Sequence, residues 1–138
     1  MNIRTYHRLD YPHIKRLYET PGTFGGQFDE ARDAQERLDA LADSKPGSIL
    51  VAEHEGAIVG TVTIFEDGRE CWLYRFAVIP EYEQIVEELY RVATKMCREW
   101  GHQQLLVYAP AGDKKFEERY VGLGLTKGND YTAYWAEL

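Results

Sequence analysis

The hydrophobic positions along this chain change period several times. Near the start, "NIRTYHR" alternates Ile3, Thr5 and His7 against Asn2, Arg4 and Tyr6, the two-residue period of a strand. Ile14, Leu17 and Tyr18 then fall three and four apart, marking a helix that Asp10 can cap and Pro12 can open. "TPGTFGGQ" reads as a glycine-rich loop carrying an exposed Phe24. A second helix follows, capped by Asp29 and lined by Ala31, Ala34, Leu38 and Leu41. "SILVAEHEGAIVGTVTIFEDG" returns to the strand period, with segments 49–53 and 57–65 flanking a turn at Glu55-Gly56. "ECWLYRFAVIP" is a third long strand, ended by Pro80. The helix behind it has the clearest pattern. Ile85, Leu89, Val92, Ala93, Met96 and Trp100 form one stripe, Glu87 and Arg91 pair off it, and Gly101 ends it. "QQLLVYAP" predicts a short buried strand, "DKKFEERYVG" a short helix, and "TKGNDYTAYWAEL" a terminal hairpin.

The order is β–α–α–β–β–β–α–β–α–β–β. It predicts an α/β (α+β) fold with a mixed, mostly antiparallel sheet of six to seven strands and helices on both faces. A chain of 138 residues suits a single domain spanning residues 1–138 with one core. Its net charge of −7 leaves no basic face for nucleic acid and disfavours anionic lipid, so neither is an expected partner. "MNIRTYHRLDY" has no apolar signal core, and no apolar run nears the roughly 20 residues of a membrane span, which makes the cytoplasm the expected compartment. Cys71 and Cys97 lie outside any metal spacing and read as small buried hydrophobes. His7, His13 and His102 share no ligand spacing, so no metal site is expected.

Two stretches carry a resemblance. In residues 113–125, "DKKFEERYVGLGL", an Asp precedes a short helix holding Tyr120, and Gly124-Leu125 follow. In residues 76–89, "FAVIPEYEQIVEEL", a strand exits through Val78-Ile79-Pro80 into a helix. This arrangement resembles the GNAT acyltransferase superfamily across nearly the whole chain. There, an Asn precedes a short helix with Phe-Tyr-x-x-x-Gly-Phe; here Asp113 stands at the Asn, Arg119 at the Phe and Tyr120 at the Tyr. The resemblance implies acetyl-coenzyme A as co-substrate. It assigns Phe76, Ala77 and Val78 to the pantetheine strand, Gln84, Ile85 and Val86 to the pyrophosphate loop, and Asp113 to the same ligand. It also implies a gap opening beside Ala77 between the fourth and fifth strands.

The loop departs from the family pattern. Arg/Gln-x-x-Gly-x-Gly/Ala is expected, and Glu83 stands at the arginine with Gln84, Val86 and Glu88 at the glycines. Branched Ile85 and Val86 resist the turning that glycine permits. Glu81, Glu83, Glu87 and Glu88 would oppose a pyrophosphate, although acids at a helix start also favour the helix dipole. Two like charges ~4 Å apart repel by about 1 kcal/mol in water and about 4 kcal/mol at an effective dielectric near 20. The loop thus reads as a degenerate phosphate loop.

By resemblance, Tyr120 is the acid that protonates the leaving thiolate. No base stands out: Tyr74 and Arg75 occupy the strand positions where acids are common, and Glu53, His54 and Glu70 read as rim residues. Arg75, inside an aromatic strand, needs a carboxylate or an acidic ligand. Trp72, Tyr74 and Phe76 alternate on one face, as core or as a stacking pocket. The expected activity is transfer of an acyl group to an amine of a small molecule or peptide. The alternatives are a catalytically silent binding or regulatory module of this fold that does not use coenzyme A, and a binder of another small molecule in the cleft between the fourth and fifth strands. Exposed strand edges or the terminal aromatics leave room for a homodimer.

Overall fold

The computed structural model describes residues 1–24 and 28–138; the end of the predicted glycine loop, Gly25, Gly26 and Gln27, lies outside them. The chain forms two compact units, Met1–Val107 and Tyr108–Leu138. The first holds a five-stranded sheet in sequence order: β1 (Asn2–Thr5), β2 (Ile49–His54), β3 (Ala57–Glu66), β4 (Cys71–Val78) and β5 (Leu106–Val107). The first three pairings are antiparallel and β4–β5 is parallel, giving the mixed, mostly antiparallel sheet that the pattern predicts. The β2–β3 hairpin turns at Glu55 and Gly56, both at positive φ, where glycine is the residue that bears it without strain.

The helices α1 (Tyr11–Glu19), α2 (Gln35–Ser44) and α3 (Ile85–Glu99) belong to the same unit. Strand alternation sends Ile49 and Val51 to one face, where they pack with Ile14, Leu17 and Tyr18 of α1 and Leu38 of α2. The other face meets α3. Gly60 of β3 sits under Leu89, and a Cβ there would stand 3.0 Å from Leu89 Cδ1 and 3.2 Å from Val78 Cγ2. Glycine at this position lets the helix seat on the strand.

Several local expectations are corrected. Asp10 does not cap α1 with its side chain. Its carboxylate takes two bonds from Arg4, at 2.8 and 2.9 Å, and one from the His7 amide at 2.7 Å, closing a preceding 3-10 turn. Asp29 caps only the turn at Ala31 and Arg32, and α2 starts later, at Gln35. Arg91 pairs with Glu88 rather than Glu87. Phe24 is half-buried. Cys71 and Cys97 are buried as expected, yet they are joined in a disulfide and are not free hydrophobes.

The second unit contains α4 (Lys114–Gly122), which the Asp113 side chain caps. The predicted terminal hairpin is absent: residues 125–138 hold neither helix nor strand, and Tyr131, Tyr134 and Trp135 are exposed. This accounts for five strands rather than six or seven.

Gly60→Val should overpack the contact with Leu89 and Val78 and cost about 1–3 kcal/mol, read from the midpoint of urea unfolding. An unchanged midpoint would mean that α3 does not seat on β3 at Gly60.

Candidate functional site

The centre of β4 is irregular, and the irregularity begins at Arg75. This residue has φ +50°, in the left-handed region that branched and long side chains avoid. Pairing with β3 runs Trp72↔Phe65, Leu73↔Ile64 and Tyr74↔Thr63, then resumes at Ala77↔Thr61 and Val78↔Gly60. Two residues of β4 thus stand opposite one of β3, which defines a β-bulge. The extra residue reverses the alternation. Trp72 and Tyr74 share a face with Ala77, whereas Phe76 turns to the opposite face with Val78. The expected Trp72–Tyr74–Phe76 stripe therefore breaks at its third member. Trp72 and Tyr74 instead flank Phe65: Phe65 stacks on Tyr74 at 4.6 Å and meets Trp72 edge-on at 6.1 Å.

Arg75 has the carboxylate partner that its position demands. Its Nε and Nη2 donate to the two oxygens of Asp33 at 3.2 and 2.8 Å, with both side chains almost wholly buried. The guanidinium also lies 4.9 Å from the Tyr74 ring centre and 5.6 Å from that of Tyr18. Asp33 belongs to the segment between α1 and α2. It accepts from the Asp29 amide at 2.9 Å, and its carbonyl accepts from the Tyr11 hydroxyl at 2.8 Å. Burial pushes the Tyr18 phenol well above its usual range. The whole group keeps Tyr18, Tyr74, Arg75 and Asp33 fixed on one face of β4.

Just before the bulge, β4 loses β5 as its second neighbour. β5 pairs only with Trp72 and Leu73, so Tyr74 to Val78 have no β5 partner among the described residues. The Ile79 amide faces β3 and donates to Val59 O at 2.9 Å; the Val78 amide faces the other edge and donates to Thr23 O at 3.0 Å. Thr23 is buried, and its hydroxyl donates to Leu17 O at 3.1 Å. The loop after α1 therefore holds one amide on the edge assigned to pantetheine.

Of the residues that the sequence pointed to, Phe76, Ala77 and Val78 are buried on β4. Pro80–Tyr82 form a 3-10 turn, Glu83 and Gln84 continue it in helical conformation, and α3 begins at Ile85. Ile85 and Val86 face the core, Gln84 is exposed, and the Val86 amide donates to Glu83 O at 3.1 Å. No residue from 80 to 88 has positive φ. In the second unit, Asp113 Oδ1 accepts from the Lys115 and Phe116 amides. Burial pushes the Tyr120 phenol above its ordinary value of 10, against the opposing charge of Arg119. Two residues escaped the sequence reading. Asp33 is one of several acids in "FDEARD", with no periodicity to distinguish it. Thr23 acts through its carbonyl, which sequence does not mark.

Comparison with known proteins fits this geometry. Residues 11–115 match the Acetyltransferase (GNAT) family, and the chain belongs to it. No curated protein matches in a sequence search. Among solved structures, the aminoglycoside 6'-N-acetyltransferase AAC(6')-IG from Acinetobacter haemolyticus superposes with a TM-score of 0.76 at 15% identity, covering 100% of this chain and 99% of that one. Ard1 from Thermoplasma volcanium gives 0.76 at 18% identity, covering 93% and 84%. The ribosomal-protein-alanine N-acetyltransferase from Brucella melitensis gives 0.68 at 22% identity, covering 90% and 83%. At such identities the likeness establishes the fold.

Asp33→Ala should leave the buried Arg75 guanidinium without its carboxylate and destabilise the protein by about 3–5 kcal/mol in urea unfolding. A loss below about 1 kcal/mol would fit a solvent-screened pair instead.

Proposed function

We propose that this protein transfers an acetyl or other acyl group from acyl-coenzyme A to an amine. The observation that carries the reading is the β4 edge: after Leu73 no described residue of β5 pairs with the strand, and the Val78 amide is held there by the carbonyl of Thr23, a bond that an extended pantetheine arm can replace as an added strand. Family membership supports the same chemistry. Coenzyme A is a co-substrate here, and its adenosine and phosphates belong at the start of α3, near Gln84, Ile85 and Val86. Asp113 and Tyr120 complete the set by family position. Tyr120 supplies the proton for the thiolate; with its pKa raised, the phenol stays protonated through the neutral range. The acceptor is a small-molecule or peptide amine, and negative net charge steers a cation toward the protein. No helix among the described residues is long and apolar enough to cross a membrane, and we place the protein in the cytoplasm. The exposed Tyr131, Tyr134 and Trp135 suit a homodimer contact.

A second reading, a silent module of this fold, draws on two observations. Thr23 already holds the Val78 amide, and the entry to α3 is a helical, acid-rich turn rather than a glycine cradle. On either reading the phosphate loop is degenerate.

Acetyl-coenzyme A at 100 times its dissociation constant should stabilise the protein by about 2.7 kcal/mol, raising the melting temperature. Absence of a shift at millimolar ligand would remove the transferase reading. Glu83→Arg should tighten coenzyme A binding several-fold, because it exchanges a repulsive charge for an attractive one. It is a cleaner test than Val86→Gly, which also empties a buried position. Unchanged affinity in calorimetry would mean that this turn does not approach the phosphates.

Tyr120→Phe should lower turnover by about a hundredfold. The sign of the pH dependence follows from the raised pKa: the acid is present below it and lost above, so the falling limb of kcat should lie above pH 10 in the wild type. A profile that is unaltered in the variant would strike Tyr120 from the site.

A further inference from the structure

The Cys71–Cys97 bond closes a covalent loop around β4, the Pro80 turn and α3, the elements to which coenzyme A is assigned above. Cys71 starts β4 opposite Glu66, one residue before the first rung to β5 at Trp72 and Leu106. Cys97 lies in the last turn of α3, and the two Cα atoms are 6.5 Å apart, within disulfide reach.

A cleft of about 350 Å³ opens at this bond, lined by Arg69, Glu70, Cys71, His102 and Gln104 among others. Its inner wall is polar and buried. His102 Nε2 lies 2.9 Å from Glu66 Oε1, the other Glu66 oxygen is bound by Lys45, and the His102 amide donates to Cys97 O at 3.0 Å. Hydrogen bonds to Lys45 and His102 hold the Glu66 carboxyl at about 2, so it is ionised at neutral pH. Glu66 thereby anchors the loop beside the disulfide; Cys71 borders the floor of the cleft with 1% of its surface exposed, and Cys97 lies behind it in the core.

We propose that Cys71–Cys97 is a reversible thiol–disulfide switch, operated in the folded protein by a small thiol entering this cleft, and that its closed form holds β4 against α3 for coenzyme A. The second half rests on the acyl-coenzyme A reading; the first does not. A thiolate attacks Cys71 Sγ and breaks the S–S bond, and the electron pair leaves on Cys97 Sγ, which takes a proton. A second thiolate attacks the incoming sulfur of the mixed disulfide, releasing the oxidised small disulfide and the Cys71 thiolate, which is then protonated. Two thiols are oxidised and the protein disulfide is reduced; the oxidised small disulfide runs the sequence backward. In a reducing cytoplasm a disulfide is usually transient and regulatory, which suits a bond that borders a cleft.

The full oxidised chain is treated with reduced glutathione without denaturant, then alkylated and weighed. Both cysteines should alkylate, at a rate rising with glutathione concentration. Oxidised glutathione should restore the bond, and the melting temperature should fall and recover in step. A bond that yields only after urea unfolds the chain would overturn the switch. Gln104→Trp, which narrows the cleft, should slow exchange by about tenfold in the folded chain and leave it unchanged in urea. Equal rates in the folded chain would overturn the route. Acetyl-coenzyme A should bind about tenfold more tightly to the oxidised form, a difference of about 1.4 kcal/mol. Equal affinity would remove the coupling. Binding to neither form counts against the transferase reading, and the switch is then decided by exchange and melting alone.

Discussion

Arg75 is the point on which this sheet turns. Its left-handed backbone is strained, by about 1–3 kcal/mol for a residue of this kind, and persists only where the surroundings over-determine it. Asp33 does so with two hydrogen bonds, and Tyr18 and Tyr74 close over the guanidinium. The consequence is geometric. An extra residue in β4 exchanges the faces of everything after it, seating Ala77 on the α1–α2 side and Phe76 and Val78 on the α3 side. The same bend follows the last rung to β5, so the strand that leads into α3 has no β5 partner there among the described residues and is bordered instead by Thr23. One ion pair thus links the segment before α2, the phase of β4 and the site.

Most of this architecture was legible. Period two along β2, β3 and β4 and the long stripe of α3 gave the sheet and its main helix, since both depend on burial of regularly spaced side chains. The bulge was not legible: Trp72, Tyr74 and Phe76 alternate perfectly in sequence, and only the backbone at Arg75 interrupts them. The need for a partner to Arg75 could be read from its aromatic neighbours, but not the identity of Asp33, which lies 42 residues away among other acids. The terminal segment misled for the opposite reason. Its aromatics have strand propensity, yet propensity without a paired neighbour does not build a strand. Cys71 and Cys97, 26 residues apart, carry no spacing motif, so their pairing had to come from the fold.

The family fold and the chemistry of the α3 entry pull in different directions. A glycine loop turns its amides toward phosphate. The helical turn over Pro80–Tyr82 and the buried Ile85 and Val86 instead spend their conformational freedom on the core. Glu81, Glu83 and Glu87 remain exposed around that entry. They favour the helix dipole by a few tenths to 1 kcal/mol each, and a phosphate group would have to displace or tolerate them. Any hold on coenzyme A therefore falls mainly to the β4 edge.

Thr23 is the contact to weigh on that edge. Its carbonyl holds the Val78 amide, so a pantetheine strand reaching that position would replace one backbone hydrogen bond by another. A typical exchange of this sort changes the free energy by no more than about 0.5–1.5 kcal/mol, since the amide is satisfied before and after. The larger cost is to move Thr23 itself, which is buried and tied to Leu17 O by its hydroxyl. Thr23 thus ties the loop after α1 both to α1, through Leu17 O, and to β4, through the Val78 amide. On the transferase reading, a ligand that takes the Val78 amide would exchange the bond to β4 and leave the bond to α1 in place.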